Sequence, residues 1–166
     1  MERSRLAVVL VIVLASCGAA ILRAGVYEDG ITLFADTAAK SPNKARPQNN
    51  LGDVLVKAGR FSEAKGPLER ALALDPRYPD ALNNLATVYN AEGRQAEAVG
   101  LLQDCLALKP DHLQAKFNLA LSLYETGRVA EAEQAYRQVV EQAPASREAA
   151  FSRSMLGIIA GGAADR

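Results

Sequence analysis

His112, Cys17 and Cys105 are the side chains of this 166-residue sequence best suited to proton transfer, nucleophilic attack or soft-metal ligation. One imidazole and two thiols are too few for a protein-built zinc site, and too few for a disulfide framework. His112 follows Pro110-Asp111, a turn-forming pair, and reads as an exposed turn residue rather than as a general base. Cys105 falls among apolar helix-forming residues and reads as a small buried thiol. The adjacent acids Glu28-Asp29 read as a solvated helix start, favoured there by the helix dipole. The 19 Lys plus Arg cancel the 19 Asp plus Glu, which removes the broad basic field that nucleic-acid binding uses. The expectation is a protein without a catalytic site, metal, cofactor, nucleic-acid partner or small-molecule substrate.

Recognition chemistry is better represented. Asn50, Asn84 and Asn118 recur at one constant spacing along the chain. A carboxamide carries donors and an acceptor, so a row of them can satisfy the main chain of an extended peptide without reading its side chains. The same amides can instead bond a neighbouring helix, the usual fate of a buried amide. Both readings are open at this level.

The elements that position these amides share their period. Pro42, Pro76, Pro110 and Pro144 are spaced by 34, as are Gly25, Gly59, Gly93 and Gly127. Arg60, Arg94 and Arg128 keep the same spacing, and so do Ala64, Ala98 and Ala132. An apolar fraction of 49% with 5% aromatics and no Trp is the composition of packed helices. Each Gly predicts the end of a first helix in a left-handed residue, and each Pro the end of a second. Pro67 alone interrupts a second helix, where it removes one backbone bond. Gly52, Ala86 and Ala120 are expected to face Ala64, Ala98 and Ala132 where paired helices approach closely.

This pattern resembles the tetratricopeptide repeat (TPR). The resemblance rests on Leu51-Gly52, Leu55, Ala64, Leu68, Ala71 and Pro76 in the first repeat. Leu82, Leu85-Ala86, Tyr89, Ala98, Leu102, Cys105 and Pro110 carry the second, and Leu119-Ala120, Leu123, Ala132, Tyr136, Val139 and Pro144 the third. Gln48, Leu82 and Lys116 replace the aromatic that usually opens the pattern. The resemblance implies an all-α, right-handed helical solenoid. Its repeats would span about 45–78, 79–112 and 113–146. A half-repeat cap over 27–44 would precede them, and a capping helix over 145–160 would follow, ending in a disordered tail at 161–166. In that cap Phe151, Met155, Ile158 and Ile159 form the stripe expected to pack on the last repeat.

The resemblance also implies a concave groove lined by the first helix of each repeat. In the first repeat it comprises Arg46, Asn49, Asn50, Asp53 and Lys57, and in the second Asp80, Asn83, Asn84, Thr87 and Asn90. In the third it comprises Gln114, Phe117, Asn118, Leu121 and Tyr124. The amide row is similar to the asparagine ladder of the O-GlcNAc transferase repeat domain. The carboxylate clamp of chaperone-binding relatives is not matched, because Asn49 and Asp53 stand where cationic and amide groups belong.

Leu6–Leu22 is an uncharged run bounded by Arg5 and Arg23. As a helix it would measure ~26 Å, enough for a slightly thinned bilayer core. Arg3 and Arg5 precede it while Glu28, Asp29 and Asp36 follow, so the bias of positive charge places the N-terminus in the cytoplasm and the remainder outside. A retained anchor over residues 1–26, a single transmembrane helix, is the main expectation. Leu14-Ala15-Ser16-Cys17 resembles the bacterial lipobox, which implies lipidation at Cys17 as an alternative, and the small residues there also suit a signal peptidase. The stretch Leu22-Arg23, Tyr27-Glu28-Asp29, Thr32-Leu33-Phe34 and Lys40-Ser41-Pro42 is similar to the anchor-to-repeat junction of polytopic membrane glycosyltransferase-like proteins with TPR tails. The expected function is a membrane-anchored, non-catalytic scaffold of a bacterial-type envelope. It would bind an extended peptide or a subunit of a membrane complex on the extracytoplasmic side. A lipidated envelope or pilus-assembly protein and an accessory module of a membrane glycosyltransferase are the alternatives.

Overall fold

The computed structural model describes residues 28–164, and the segment Leu6–Leu22 with Cys17 lies outside them. The described residues form eight helices and no strand. They are α1 over 28–40, α2 (Ala45–Lys57), α3 (Phe61–Leu74), α4 (Pro79–Ala91), α5 (Gln95–Leu108), α6 (Leu113–Glu125), α7 (Val129–Gln142) and α8 (Arg147–Ala164). α2 with α3, α4 with α5 and α6 with α7 make three helical hairpins, each stacked on the next. The first helices of successive hairpins, α2, α4 and α6, touch one another in sequence, and α8 continues the row to form one wall of the solenoid. Among the described residues no helix is long and apolar enough to cross a membrane.

The tight link inside each hairpin follows from its glycine. Gly59, Gly93 and Gly127 have φ of 75°, 76° and 78°, a region where a Cβ would meet the following carbonyl. In the first hairpin Arg60 N–H reaches Leu55 O at 2.9 Å and Gly59 N–H reaches Val56 O at 2.9 Å, the paired bonds of a Schellman motif. The same pair recurs at Arg94 to Tyr89 with Gly93 to Asn90, and at Arg128 to Leu123 with Gly127 to Tyr124. The arginine then performs a second task. As the residue before α3, α5 or α7, it grips the glutamate three positions on with two parallel bonds. These are Arg60 to Glu63 at 2.7 and 2.7 Å, Arg94 to Glu97 at 2.6 and 2.5 Å, and Arg128 to Glu131 at 2.7 and 2.7 Å. The arginine series is visible in the sequence; its glutamate partners, equally periodic, escaped the sequence reading.

Small residues set the helix spacing as expected. Ala64, Ala86, Ala98, Ala120 and Ala132 are all fully buried. A Cβ on Gly52 would run into the Leu68 side chain, so here only hydrogen fits. The core is a chain of three clusters, around Leu55 and Leu68, around Leu82, Leu102 and Cys105, and around Leu123 and Tyr136. Each is roofed by residues of the following hairpin or, for the last, of α8. Where an aromatic would open the first repeat, buried Gln48 instead donates to Ala38 O of α1 at 3.3 Å, which ties the half-repeat to the first full one. α3 continues through Pro67 without a break.

At the C-terminal end α8 runs on to Ala164, into the stretch 161–166. Its packing stripe differs from the expected one. Ala149 and Ser152 are fully buried, and Met155, Leu156 and Ile159 rest on the Leu123 and Tyr136 cluster. Phe151 and Ile158, expected in that stripe, are 45% and 56% exposed. Ser152 can be buried because its hydroxyl bonds Glu148 O at 2.7 Å.

Candidate functional site

Positions that recur once per repeat must meet on one wall of the stack, and a cavity of about 600 Å³ shows which positions those are. It is lined by Arg46, Asn49, Asn50, Asp53 and Lys57 of α2, by Asp80, Asn83 and Asn84 of α4, and by Gln114 of α6. All nine were expected in the groove. Tyr78 and His112 also line it and were missed. Their signal was periodic as well: each is the last residue before a first helix, at 78 and 112, and each serves as the N-cap position.

Hydrogen bonds divide the groove residues into those with obligations elsewhere and those facing the opening. Asn84 Nδ2 donates to Asn49 Oδ1 at 3.1 Å, joining α4 to α2. Asn118 Nδ2 donates to Asn83 Oδ1 at 3.0 Å and to Thr87 Oγ1 at 3.2 Å, joining α6 to α4. Asn118 Oδ1 accepts from Gln114 Nε2 at 3.1 Å, and Ser122 donates to Asn90 Oδ1 at 2.9 Å. The amides at 84 and 118 therefore bond the preceding first helix rather than standing free for a peptide main chain. Thr87, Asn90 and Asn118, expected in the groove, lie outside the cavity lining and serve this seam. The reason is geometric: neighbouring first helices are close enough for one amide to span them, and a buried amide left unbonded would be costly.

His112 is not a free turn residue. Its side chain is 13% exposed, its Nδ1 accepts from Ala115 N–H at 3.3 Å, and its Nε2 lies 3.2 Å from Asp80 Oδ1. Nδ1 thus caps α6, and Nε2 clips that helix to the first turn of α4. Tyr78 stands at the first junction, its hydroxyl accepting from Asn49 Nδ2 at 3.5 Å. Burial, then the negative charge of Asp80, push its phenol up from the usual value. Lys57 is tied to Asp53 at 2.6 Å. Arg46 has no carboxylate within salt-bridge distance among the described residues.

Further along, the same positions change character. One period beyond Asn83 lies Phe117, and one beyond that Phe151, whose ring meets Phe117 edge-on with centroids 5.4 Å apart. Leu121 and Tyr124, also expected in the groove, are half-buried on α6 outside the 600 Å³ cavity. Along the row of first helices, an amide-rich stretch in α2 and α4 is thus followed by a more apolar one in α6 and α8. Among the described residues no three His, Cys, Asp or Glu side chains gather as a metal site. Cys105 is fully buried, and desolvation pushes its thiol up to about 11, which suppresses the nucleophilic thiolate at neutral pH. The cavity offers amide hydrogen-bonding groups and the cations of Arg46 and Lys57.

Family models described as tetratricopeptide repeat match residues 49–111 and 89–152, which together cover the three hairpins and the start of α8. No curated protein matches the chain significantly. Among solved structures, the crystal structure of MamA superimposes with a TM-score of 0.74 at 20% identity, over 84% of this chain and 80% of that one. YrrB, described as a TPR protein with an unusual peptide-binding site, gives 0.68 at 22% identity, over 86% and 72%. The first TPR of Spaghetti (RPAP3) bound to the HSP90 peptide SRMEEVD gives 0.67 at 23% identity, over 73% and 94%. At these identities the likeness is one of fold, and it agrees with the period, the glycine-ended hairpins and the repeated close contacts in assigning this chain to the tetratricopeptide repeat family.

Proposed function

We propose that this chain is a non-catalytic scaffold that holds a segment of another protein in its concave groove. The observation that carries the reading is the cavity of about 600 Å³ lined by one face of three successive first helices, with Arg46 and Asn50 at its polar end. Such a surface is long enough for an extended or helical segment and rich in groups that pair with a main chain. YrrB and the Spaghetti domain are described with a peptide site and a bound peptide on the same fold, which supports the reading. The scaffold would be tethered by Leu6–Leu22, with the repeats on the extracytoplasmic side. Arg3 and Arg5 before the run and Glu28, Asp29 and Asp36 after it support that orientation.

A photo-reactive side chain at Asn50, at the open end of the groove, should cross-link to a discrete partner in native membranes. The same group at Gln138, in a separate depression beside Pro110, should not. Equal adducts from both positions, or none from Asn50, would remove the groove as the binding surface. The tether is tested separately. An intact Met1 by mass spectrometry together with resistance to alkaline extraction supports it, whereas a diacylated Cys17 replaces it with the lipoprotein reading.

A further inference from the structure

α8 occupies the position of a first helix, because its start at Arg147 lies one period beyond the start of α6 at Leu113. A first helix normally shows two faces, one to its own second helix and one to the groove. The former is abandoned here. Where earlier hairpins place Leu51, Leu85 and Leu119, α8 has exposed Arg153; where they place Gly52, Ala86 and Ala120 it has exposed Ser154; and Gly157 replaces Leu55, Tyr89 and Leu123. That side is polar and small, and does not call for another helix. The groove side is the reverse, since Phe151, Met155 and Ile158 succeed Phe117, Leu121 and Tyr124. The large exposed apolar side chains of α8, Phe151 and Ile158, therefore lie on the groove rows of a helix whose other exposed side is polar and small.

Charge marks the same end. Glu125 and Glu148 hold the groove positions that Lys57 and Arg46 hold at the other end. Among the described residues neither carboxylate has a cation within salt-bridge distance, since Arg128 is forked on Glu131 and Arg153 donates to Pro144 O. Glu125 closes α6, where the dipole disfavours a negative charge, so its helix gives it no compensation.

Resting on the groove reading above, we propose that the C-terminal half of the groove docks a basic amphipathic segment of a partner protein. Its apolar side chains cover Phe151 and Ile158, and its Lys or Arg side chains reach Glu125 and Glu148. The edge-on Phe117 and Phe151 rings form the floor. An apolar anchor flanked by matched charges is the usual make-up of a small interface, in which a few aromatic contacts dominate affinity.

The test titrates the full chain, in phosphatidylcholine nanodiscs, with three synthetic peptides: an amphipathic Leu/Lys peptide, its Leu/Glu counterpart and a Ser/Lys counterpart. The Leu/Lys peptide should bind about tenfold or more tighter than either. Phe151→Ser and Ile158→Ser, both at exposed positions, should each weaken it several-fold with helicity unchanged, and Glu125→Gln with Glu148→Gln should erase the preference for Lys over Glu. Equal binding of the Leu/Glu peptide, or full affinity in both serine variants, would overturn the proposal. So would self-association of the chain that Phe151→Ser abolishes, because a second copy would then own the face. A persisting Asn50 cross-link with no Leu/Lys binding would overturn this inference and leave the groove reading standing.

Discussion

The tolerance of a single glycine depends on what lies opposite it. Gly52 and Gly100 both sit in helices, where alanine is intrinsically better by about 1 kcal/mol. At Gly100 the added methyl meets nothing, so Gly100→Ala should stabilise by about 0.5–1 kcal/mol. At Gly52 the methyl meets the buried Leu68 side chain, and an overpacking cost of about 1–3 kcal/mol should exceed the helical gain. Thermal unfolding of the two variants should shift in opposite directions. The asparagines make a similar contrast. Asn118→Ala removes the partner of Asn83, Thr87 and Gln114 inside the stack and should cost about 1–3 kcal/mol. Asn50→Ala at the open end of the groove should change stability by less than about 0.5 kcal/mol, read from denaturant midpoints.

Helix starts here use an uncommon device. No serine, threonine or aspartate caps α3, α5 or α7; an arginine stands at the N-cap and holds a glutamate in the first turn. The fork lowers the pKa of Glu63, Glu97 and Glu131 below the ordinary carboxylate range, with Arg60, Arg94 and Arg128 as the respective causes. A carboxyl with a lower pKa in the folded state stabilises the fold above its unfolded value of about 4.3 and loses that contribution as pH falls through the folded value. All three pairs are solvent-exposed, so each contribution is modest and salt-sensitive. Changing the three glutamates together to glutamine should flatten the decline of melting temperature between neutral and acidic pH, measured at low ionic strength. An acid limb unchanged from the parent would assign the decline to other carboxylates. Glu92, which Arg94 and Lys65 also hold below its usual range, stays in place in that variant.

The solenoid as a whole depends on its last helix. Met155, Leu156 and Ile159 close the Leu123 and Tyr136 cluster, and half-burying three such side chains is worth about 3 kcal/mol. Ending the chain after Pro144 should therefore lower stability by about that amount and expose apolar surface, seen as aggregation or dye binding, because an uncapped stack leaves a core face in water. The three hairpins, their turns and the small residues between them were legible in one dimension. A repeat returns the same local problem at every period, and Gly59, Gly93, Gly127 and the alanine series are solutions that depend on near neighbours along the chain. The wall of first helices was legible for the same reason, which is why nine lining residues were foreseen. Which way a polar side chain on that wall is spent was not. Asn84 and Asn118 bond the helix before them, His112 clips Asp80, and Phe151 is exposed while Leu156 packs on the core. Those outcomes depend on the distance and rotation between neighbouring hairpins, small differences in three dimensions that periodic spacing along the chain does not encode.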